Sequence, residues 1–328
     1  GYSLILLLKQ RRWRCSNPDC MYEVNESFRF VNKGRRTTNA TDMLIVEAYR
    51  NLLETSASIA KRFHMSDTYV HEIFDRYVKL DRLPLTDAIS IDEVHLDMDD
   101  DCKYALVIQD FHTGNPIDLL RSRRTSVTEP YFVSIPATER NQVKYLISDM
   151  YNPYIAYVEK YFPNAVPVVD SFHVIQWITR SIDNYIRQLL KKYRQRDREY
   201  QDKLSYEQQR PVSLPPSDEV YLLQKYRWLI LSNQSNIRYH SDPRMDSHFH
   251  VLMNTYDYED ALFRIDPNLK DFRDLKKMYV QFNSRNGGNP LLARNELKEL
   301  IQTYKSSRFE IFRDFASLLK KFEDPIVN

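Results

Sequence analysis

Apolar positions set the first divisions of the chain. Between residues 41 and 78 they recur at helical spacing in three runs, predicting helices over 42–54, 56–64 and 67–78, with Ser66 placed to cap the third. From Ala88 the period changes to two. Residues 89–92, 104–110 and 117–121 read as strands, with 112–115 as the turn between the last two. Residues 127–135 fit either a helix or a loop. Two short apolar runs, 143–148 and 166–169, have the character of buried strands and flank an aromatic helix over 153–162. Beyond Phe172 nearly everything reads as helix, broken at Pro211, Pro215, Pro216, Pro243 and Pro290.

A three-strand meander, a connection, a strand, a helix, a strand and then helices is the order of an α/β ribonuclease-H-like core with a large helical insertion. Composition adds limits. At 328 residues with 42% hydrophobic and 28% charged residues, the chain has the make-up of ordinary soluble domains. Five glycines leave nothing from which to build a Gly-rich phosphate cradle, which argues against nucleotide-driven chemistry. Three cysteines argue against a disulfide framework and for a reducing compartment, with the cytoplasm as the default. The apolar run 4–8 is too short to span a bilayer and carries no cleavage pattern, so no membrane or export segment is expected. The first residue is Gly1 rather than Met, which hints that the natural N-terminus lies elsewhere.

Charge matters through its distribution. Lys and Arg outnumber Asp and Glu by only 47 to 45, yet residues 1–41 hold Lys9, Arg11, Arg12, Arg14, Arg29, Lys33, Arg35 and Arg36 against Asp19, Glu23 and Glu26. The helical stretch 180–198 is similarly basic. In the front end, Cys15 and Cys20 form half of a four-ligand zinc pattern; a lone pair is also compatible with ordinary thiols. Cys102, inside the sheet region, reads as a buried thiol. Residues 56–66 followed by Thr68-Tyr69-Val70 have helix-turn-helix spacing, with Ala60 small enough for a close crossing, Met65 in the turn, and Val70 and Ile73 facing the core. The third helix would then offer Thr68, Tyr69, His71 and Glu72 to a DNA major groove, although helix pairs of this spacing also occur as plain core.

The chemistry-bearing residues are carboxylates. Asp92 falls where the first predicted strand ends, Asp149 after the fourth and Asp170 after the fifth. Carboxylates at such ends can hold a pair of Mg²⁺ ions for phosphodiester displacement. Taken singly, each Asp is equally well explained as a helix cap or turn residue; for Asp92 and Asp149 together, in this strand order, the metal reading leads. Glu93, Asp97 and 99–101 read as solvated turn charges. Asp170 and His173, three apart at a strand-to-helix junction, are within reach of a mutual hydrogen bond, with a helix cap as the equal alternative.

Five pieces in this order and spacing resemble the transposases of the ISL-three group of insertion sequences. They are Arg11-Arg12-Trp13-Arg14-Cys15 through Cys20, the helix-turn-helix, Ser90-Ile91-Asp92-Glu93, Ser148-Asp149-Met150-Tyr151, and Val168-Val169-Asp170-Ser171-Phe172-His173-Val174. The resemblance implies a partial zinc module (1–40), a helix-turn-helix domain (41–80), a DDE-type catalytic core (86–175) and helices thereafter (176–328). It also implies Asp92 and Asp149 as the first two catalytic carboxylates, with Asp170 and His173 accessory. Mg²⁺ or Mn²⁺ is the implied catalytic metal, with Zn²⁺ in the complete N-terminal module. The partner is double-stranded DNA, as transposon ends and target, contacted through Arg11, Arg12, Arg14, Arg35 and Arg36 and by the third helix. A homo-oligomer in the DNA complex and a bacterial, nucleoid-associated location follow from the same likeness. The family pattern has a further cysteine pair upstream of Cys15 and a third acid in an Asn-Gly-x-x-Glu-like stretch, neither of which occurs here. The chain is therefore expected to be truncated at both ends and inactive as given. Glu296, Glu299, Glu310 and Glu323 read as solvated faces of amphipathic helices. A non-catalytic DNA-binding remnant or regulator, and a ribonuclease-H-like nuclease without strand transfer, are the alternative functions.

Overall fold

The computed structural model describes residues 6–35, 37–51, 53–99, 102–286 and 288–328. The chain forms two compact units, Gly1–Arg82 and Leu83–Asn328. The first opens with a hairpin of β1 (Arg12–Arg14) and antiparallel β2 (Glu23–Asn25). Then come α1 (Asn39–Ala48), α2 (Ser56–Phe63) and α3 (Asp67–Tyr77), each begun by a hydroxyl cap: Thr38, Thr55 and Ser66 accept from the N–H groups of Thr41, Ser58 and Tyr69. α1 stops at Ala48, short of residue 54, because Asn51 accepts from Leu53 N–H in a side-chain turn that competes with the helix. α2 ends at His64, which adopts a left-handed φ of 56° so that Met65 N–H can return to the Ala60 carbonyl at 2.9 Å. Ile45, Ala48, Ile59, Ala60, Val70 and Ile73 pack between the three helices.

The second unit is built on β3 (Ala88–Asp99), β4 (Cys102–Asp110), β5 (Pro116–Leu120), α4 (Thr125–Ser134), α5 (Ala137–Arg140), β6 (Tyr145–Ser148), α6 (Asn152–Tyr161), β7 (Val166–Val169) and α7 (Ser171–Gln208). The sheet order is β5-β4-β3-β6-β7; the first three strands are antiparallel neighbours, and β6 and β7 run parallel to β3. Gly114, at φ 71°, makes the turn between β4 and β5. One face of the sheet, with Ile89, Ile91, Leu106, Ile108 and Leu146, is covered by Phe132 of α4 and by Tyr154, Tyr157 and Tyr161 of α6. This mixed α/β arrangement fits the ribonuclease-H-like expectation.

β3 is the main departure. It continues to Asp99, so Asp92 lies inside a strand and not at its end. The apolar positions change phase after Ile91, from 89 and 91 to 94, 96 and 98, so the alternation breaks at Asp92-Glu93 although β4 keeps pairing with the strand through His95↔Tyr104.

The remaining helices are α8 (Asp218–Lys225), α9 (Trp228–Leu231), α10 (Thr255–Ile265), α11 (Asn268–Arg285), α12 (Pro290–Lys305), α13 (Glu310–Lys321) and α14 (Glu323–Val327), with a small hairpin of β8 (Arg244–Met245) and β9 (Leu252–Met253). They pack around one stripe of α7 at four-residue spacing, Val174, Ile178, Ile182, Ile186 and Leu190. At the chain's end, Asn328 donates to the Pro167 carbonyl of β7 at 3.0 Å. Glu299 and Glu310 are exposed as expected, but two of the other acids are not solvated. Glu296 accepts from Asn286 at 2.7 Å, and Glu323 is buried beside Arg294, Lys298 and Lys320, because α14 folds back onto α12. Among the described residues, no helix is long and apolar enough to cross a membrane.

Candidate active site

Pairing in the sheet brings the expected carboxylates together. β3 and β6 are in parallel register through Ser90↔Ile147, so two residues further on Asp92 and Asp149 come level, on the face opposite Ile91 and Leu146. β6 has ended by then, which leaves Asp92 exposed at the mouth of the parallel part of the sheet although its own strand goes on. Asp149 is half-buried on its loop and accepts from Tyr151 N–H at 3.1 Å. Its carboxyl is raised above the ordinary aspartate range. Burial is the largest cause; His173 pulls down, while the charges of Glu93 and Asp92 push up.

Asp170 has a different job from its neighbour His173. The Asp170 carboxylate accepts from Phe172 N–H at 2.9 Å and so caps α7. Of the two readings open for Asp170, the structure shows the helix cap, and His173 interacts electrostatically with Asp149. Helix geometry explains the outcome, since a capping carboxylate must turn back onto the first N–H groups.

Glu93 corrects the reading of a solvated turn charge. Its side chain is 15% exposed, on the α6 face of β3, where both carboxylate oxygens accept from Arg123 at 2.7 Å and one also accepts from the Tyr154 hydroxyl at 2.6 Å. The guanidinium of Arg123 lies over the rings of Tyr104 and Tyr151, 5.2 and 5.4 Å from their centroids. Burial and then the Glu93 bond push the Tyr154 phenol far up. This Glu93–Arg123–Tyr154 clamp escaped the sequence reading; the only signal for it was an acid adjoining Asp92 and a tyrosine in the first turn of the helix that follows Asp149. The side chains of Asp97, Asp99 and Cys102, and residues 100–101, lie outside the described residues.

A transposase family model of the ISL-three group matches residues 89–328, from the second residue of β3 to the end of the chain. The chain belongs to this transposase family. A search of curated proteins gave no match. A transposase acts on DNA, and the matched span contains the whole Asp92–Asp149 cluster.

The chemistry of the donors suits a hard divalent cation. Asp92 and Asp149 offer oxygen ligands, and the charge crowding that raises Asp149 is the kind a bound cation relieves. Among the described residues, no group of three or more His, Cys, Asp and Glu side chains is gathered closely enough to hold a metal, so Asp92 and Asp149 offer two ligands and not a full set.

In the first unit, Cys15 and Cys20 sit in the loop joining β1 and β2, both as free thiols; Cys15 N–H bonds the Tyr22 carbonyl at 3.0 Å, closing the hairpin between them. Four of the expected contact residues are engaged locally: Arg11 with Glu26, Arg12 and Arg14 with Glu23, and Arg35 with Glu72. Arg36 lies outside the described residues. On α3, Thr68 and His71 are exposed, whereas Tyr69 bonds Thr37 at 2.7 Å and carries Arg35 over its ring. Tyr69 and Glu72 therefore hold Arg35 in place, and Thr68 and His71 are the freer side chains for contact.

Proposed function

We propose that the complete transposase cuts and rejoins DNA by divalent-metal chemistry centred on Asp92 and Asp149. The observation that carries the reading is that these two carboxylates are brought level on one face of adjacent parallel strands, with Asp149 raised by burial and by the neighbouring acids. Mg²⁺ or Mn²⁺, when bound, would activate the attacking oxygen and stabilise the leaving oxygen of a phosphodiester. The chain's own residues orient that chemistry. Glu93 is fixed by Arg123 and Tyr154 and adds negative field behind Asp149; Asp170 anchors the start of α7 and so sets where His173 stands. Water serves as nucleophile in cleavage and a DNA 3′-hydroxyl in strand transfer. Residues 1–82 supply DNA binding: α2 and α3 act as a helix-turn-helix reading bases through Thr68 and His71, and Arg11, Arg12, Arg14, Arg35 and Arg36 trade weak surface ion pairs for phosphates. Cys15 and Cys20 contribute half of a zinc site.

Mn²⁺ binding followed by electron paramagnetic resonance tests the site directly. Asp92→Asn and Asp149→Asn should each weaken binding on the order of ten-fold or more, while Asp170→Asn leaves it nearly unchanged. Equal Mn²⁺ binding by all three variants and the wild type would remove the metal reading.

A further inference from the structure

α7 carries a second charged feature well along from the carboxylates. It turns Ile178, Ile182, Ile186 and Leu190 inward, and exposes Arg187, Lys191, Arg194 and Arg198. Positions i, i+4, i+7 and i+11 at about 100° per residue fall within about 60° of one another around a helix, so the four cations form one line. With Gln195, and with Gln224 and Arg227 opposite, they line an open groove of ≈ 620 Å³. The charge is poorly neutralised. Asp183 pairs with both Arg187 (2.6 Å) and Arg227 (3.4 Å), Arg194 has only the amide of Gln224 (2.9 Å), and Lys191 and Arg198 have no carboxylate partner among the described residues.

We propose that this groove binds the phosphate backbone of duplex DNA. Eleven residues of helix run about 16 Å, a length in which one strand of a duplex passes about five phosphates. The lining also argues for a duplex over the alternatives. A single strand is held by stacking its bases on aromatic rings, and a protein partner by buried aromatic anchors; no aromatic side chain lines the groove. Position links it to the site. His173 and Arg187 are fourteen residues apart on one unbroken helix, about 21 Å along and about 40° around it, so the cations continue the side of α7 that carries His173. Exposed Arg180 falls on that side between them. A duplex whose reacting phosphate lies at Asp92 and Asp149 would reach the groove about six base pairs away. The choice of DNA rests on the transposase reading; the groove's demand for a polyanion does not.

The test uses the full chain without divalent metal, so that binding is read apart from cleavage. Duplexes of about 40 base pairs and unrelated sequence are titrated against wild type and against the variant carrying Arg187→Gln, Lys191→Gln, Arg194→Gln and Arg198→Gln. Affinity is expected to fall at least about ten-fold for every sequence alike, and the slope of log affinity against log salt to shrink by about 3.6, near 0.9 for each of the four phosphates the variant no longer neutralises. In the wild type, duplex DNA should also protect Lys191 from acetylation, a readout independent of how the variant folds. An unchanged salt slope together with undiminished Lys191 acetylation overturns the proposal. Stronger protection by duplex RNA or by an acidic peptide overturns the assignment to DNA. The groove is read here without metal and the carboxylate site by Mn²⁺ binding without DNA, so failure of the carboxylate site and failure of the groove give different results.

Discussion

Asp149 and Asp246 are aspartates of the same unit, both drawn out of bulk water, and their carboxyls shift in opposite directions. Burial pushes each upward. Around Asp246 that push is outweighed by the N–H groups of Phe249 and His248 (3.0 and 2.8 Å) and by the hydroxyls of Tyr221, Tyr258 and Tyr226 (2.7, 2.7 and 3.3 Å), which hold it well below the usual range. Asp149 receives one N–H, and two neighbouring acids press on it. One carboxylate is satisfied by its own chain and serves the fold; the other has one N–H and the pull of His173 against burial and two neighbouring acids, an imbalance that the proposed metal-binding role would relieve. Residue type and burial alone would not separate the two.

The sharpest break in the comparison should be functional. Asp149→Asn keeps the shape and removes the charge, and in the complete transposase is expected to lower DNA cleavage or transposition by at least on the order of 10³-fold, with fold and duplex binding retained. A variant with near-normal activity would mean that Asp149 is merely a strained loop residue.

Stability should show the reverse ranking. Asp246→Ala strands three phenols and two N–H groups inside the helical region and is expected to cost about 3–5 kcal/mol in urea unfolding, whereas Asp149→Asn is neutral or stabilising. The pH dependence follows from the signs. Asp246, depressed when folded, contributes stability that is present above the unfolded carboxyl value near 3.9 and is lost as pH falls through its own lower pKa. Asp149, raised when folded, contributes stability present below about 3.9 and lost as pH rises through its higher pKa, so the gain from Asp149→Asn should grow over that rise. A gain that shrinks with rising pH would contradict the assigned shift.

Tyr154→Phe probes the boundary between the two kinds of carboxylate, since Glu93 is satisfied by Arg123 and Tyr154 yet stands behind Asp149. Loss of a hydroxyl bonded to a charged, partly buried acid should cost about 1.5–3 kcal/mol in urea unfolding. Mn²⁺ affinity should drop less than in Asp149→Asn. A fall as deep as that of Asp149→Asn would make Glu93 a direct ligand.

How far this contrast was legible in the sequence depends on range. Period-two alternation found the first strands, a short apolar run over 166–169 matched β7 to the residue, and helical spacing found α2 and α3, with Ser66 as the cap of α3. Asp92 and Asp149 were nameable because each follows an apolar run. The length of β3 was not, because the alternation shifts phase at Asp92-Glu93 and the later residues draw their pairing from β4 alone. The Glu93 clamp joins residues 30 and 61 positions apart, and the Asp246 cluster joins a loop to three tyrosines on two helices; such contacts leave no local period. The α7 cations were visible as a basic run, but the groove needs Gln224 and Arg227 from the following segment.

The smallest expected effect tests whether Asp246 is satisfied as a unit or bond by bond. Tyr258 stacks on Tyr226 with ring centroids 3.8 Å apart and donates to Asp246 at 2.7 Å. Tyr258→Phe keeps the ring, and so the stacking, while four donors remain on the carboxylate. If the bonds act independently, the loss is that of one hydrogen bond to a charged acceptor already well served, about 1 kcal/mol, and urea unfolding should move by that much with no change in DNA cleavage. Hydrogen-bond chains can also reinforce one another, in which case Tyr258→Phe and Tyr221→Phe together would cost clearly more than the sum of the two singles. Additive losses near 1 kcal/mol each would place the stability of Asp246 in the number of its donors. A non-additive pair would place it in the cluster as a whole, which is what Asp149, with its single N–H, lacks.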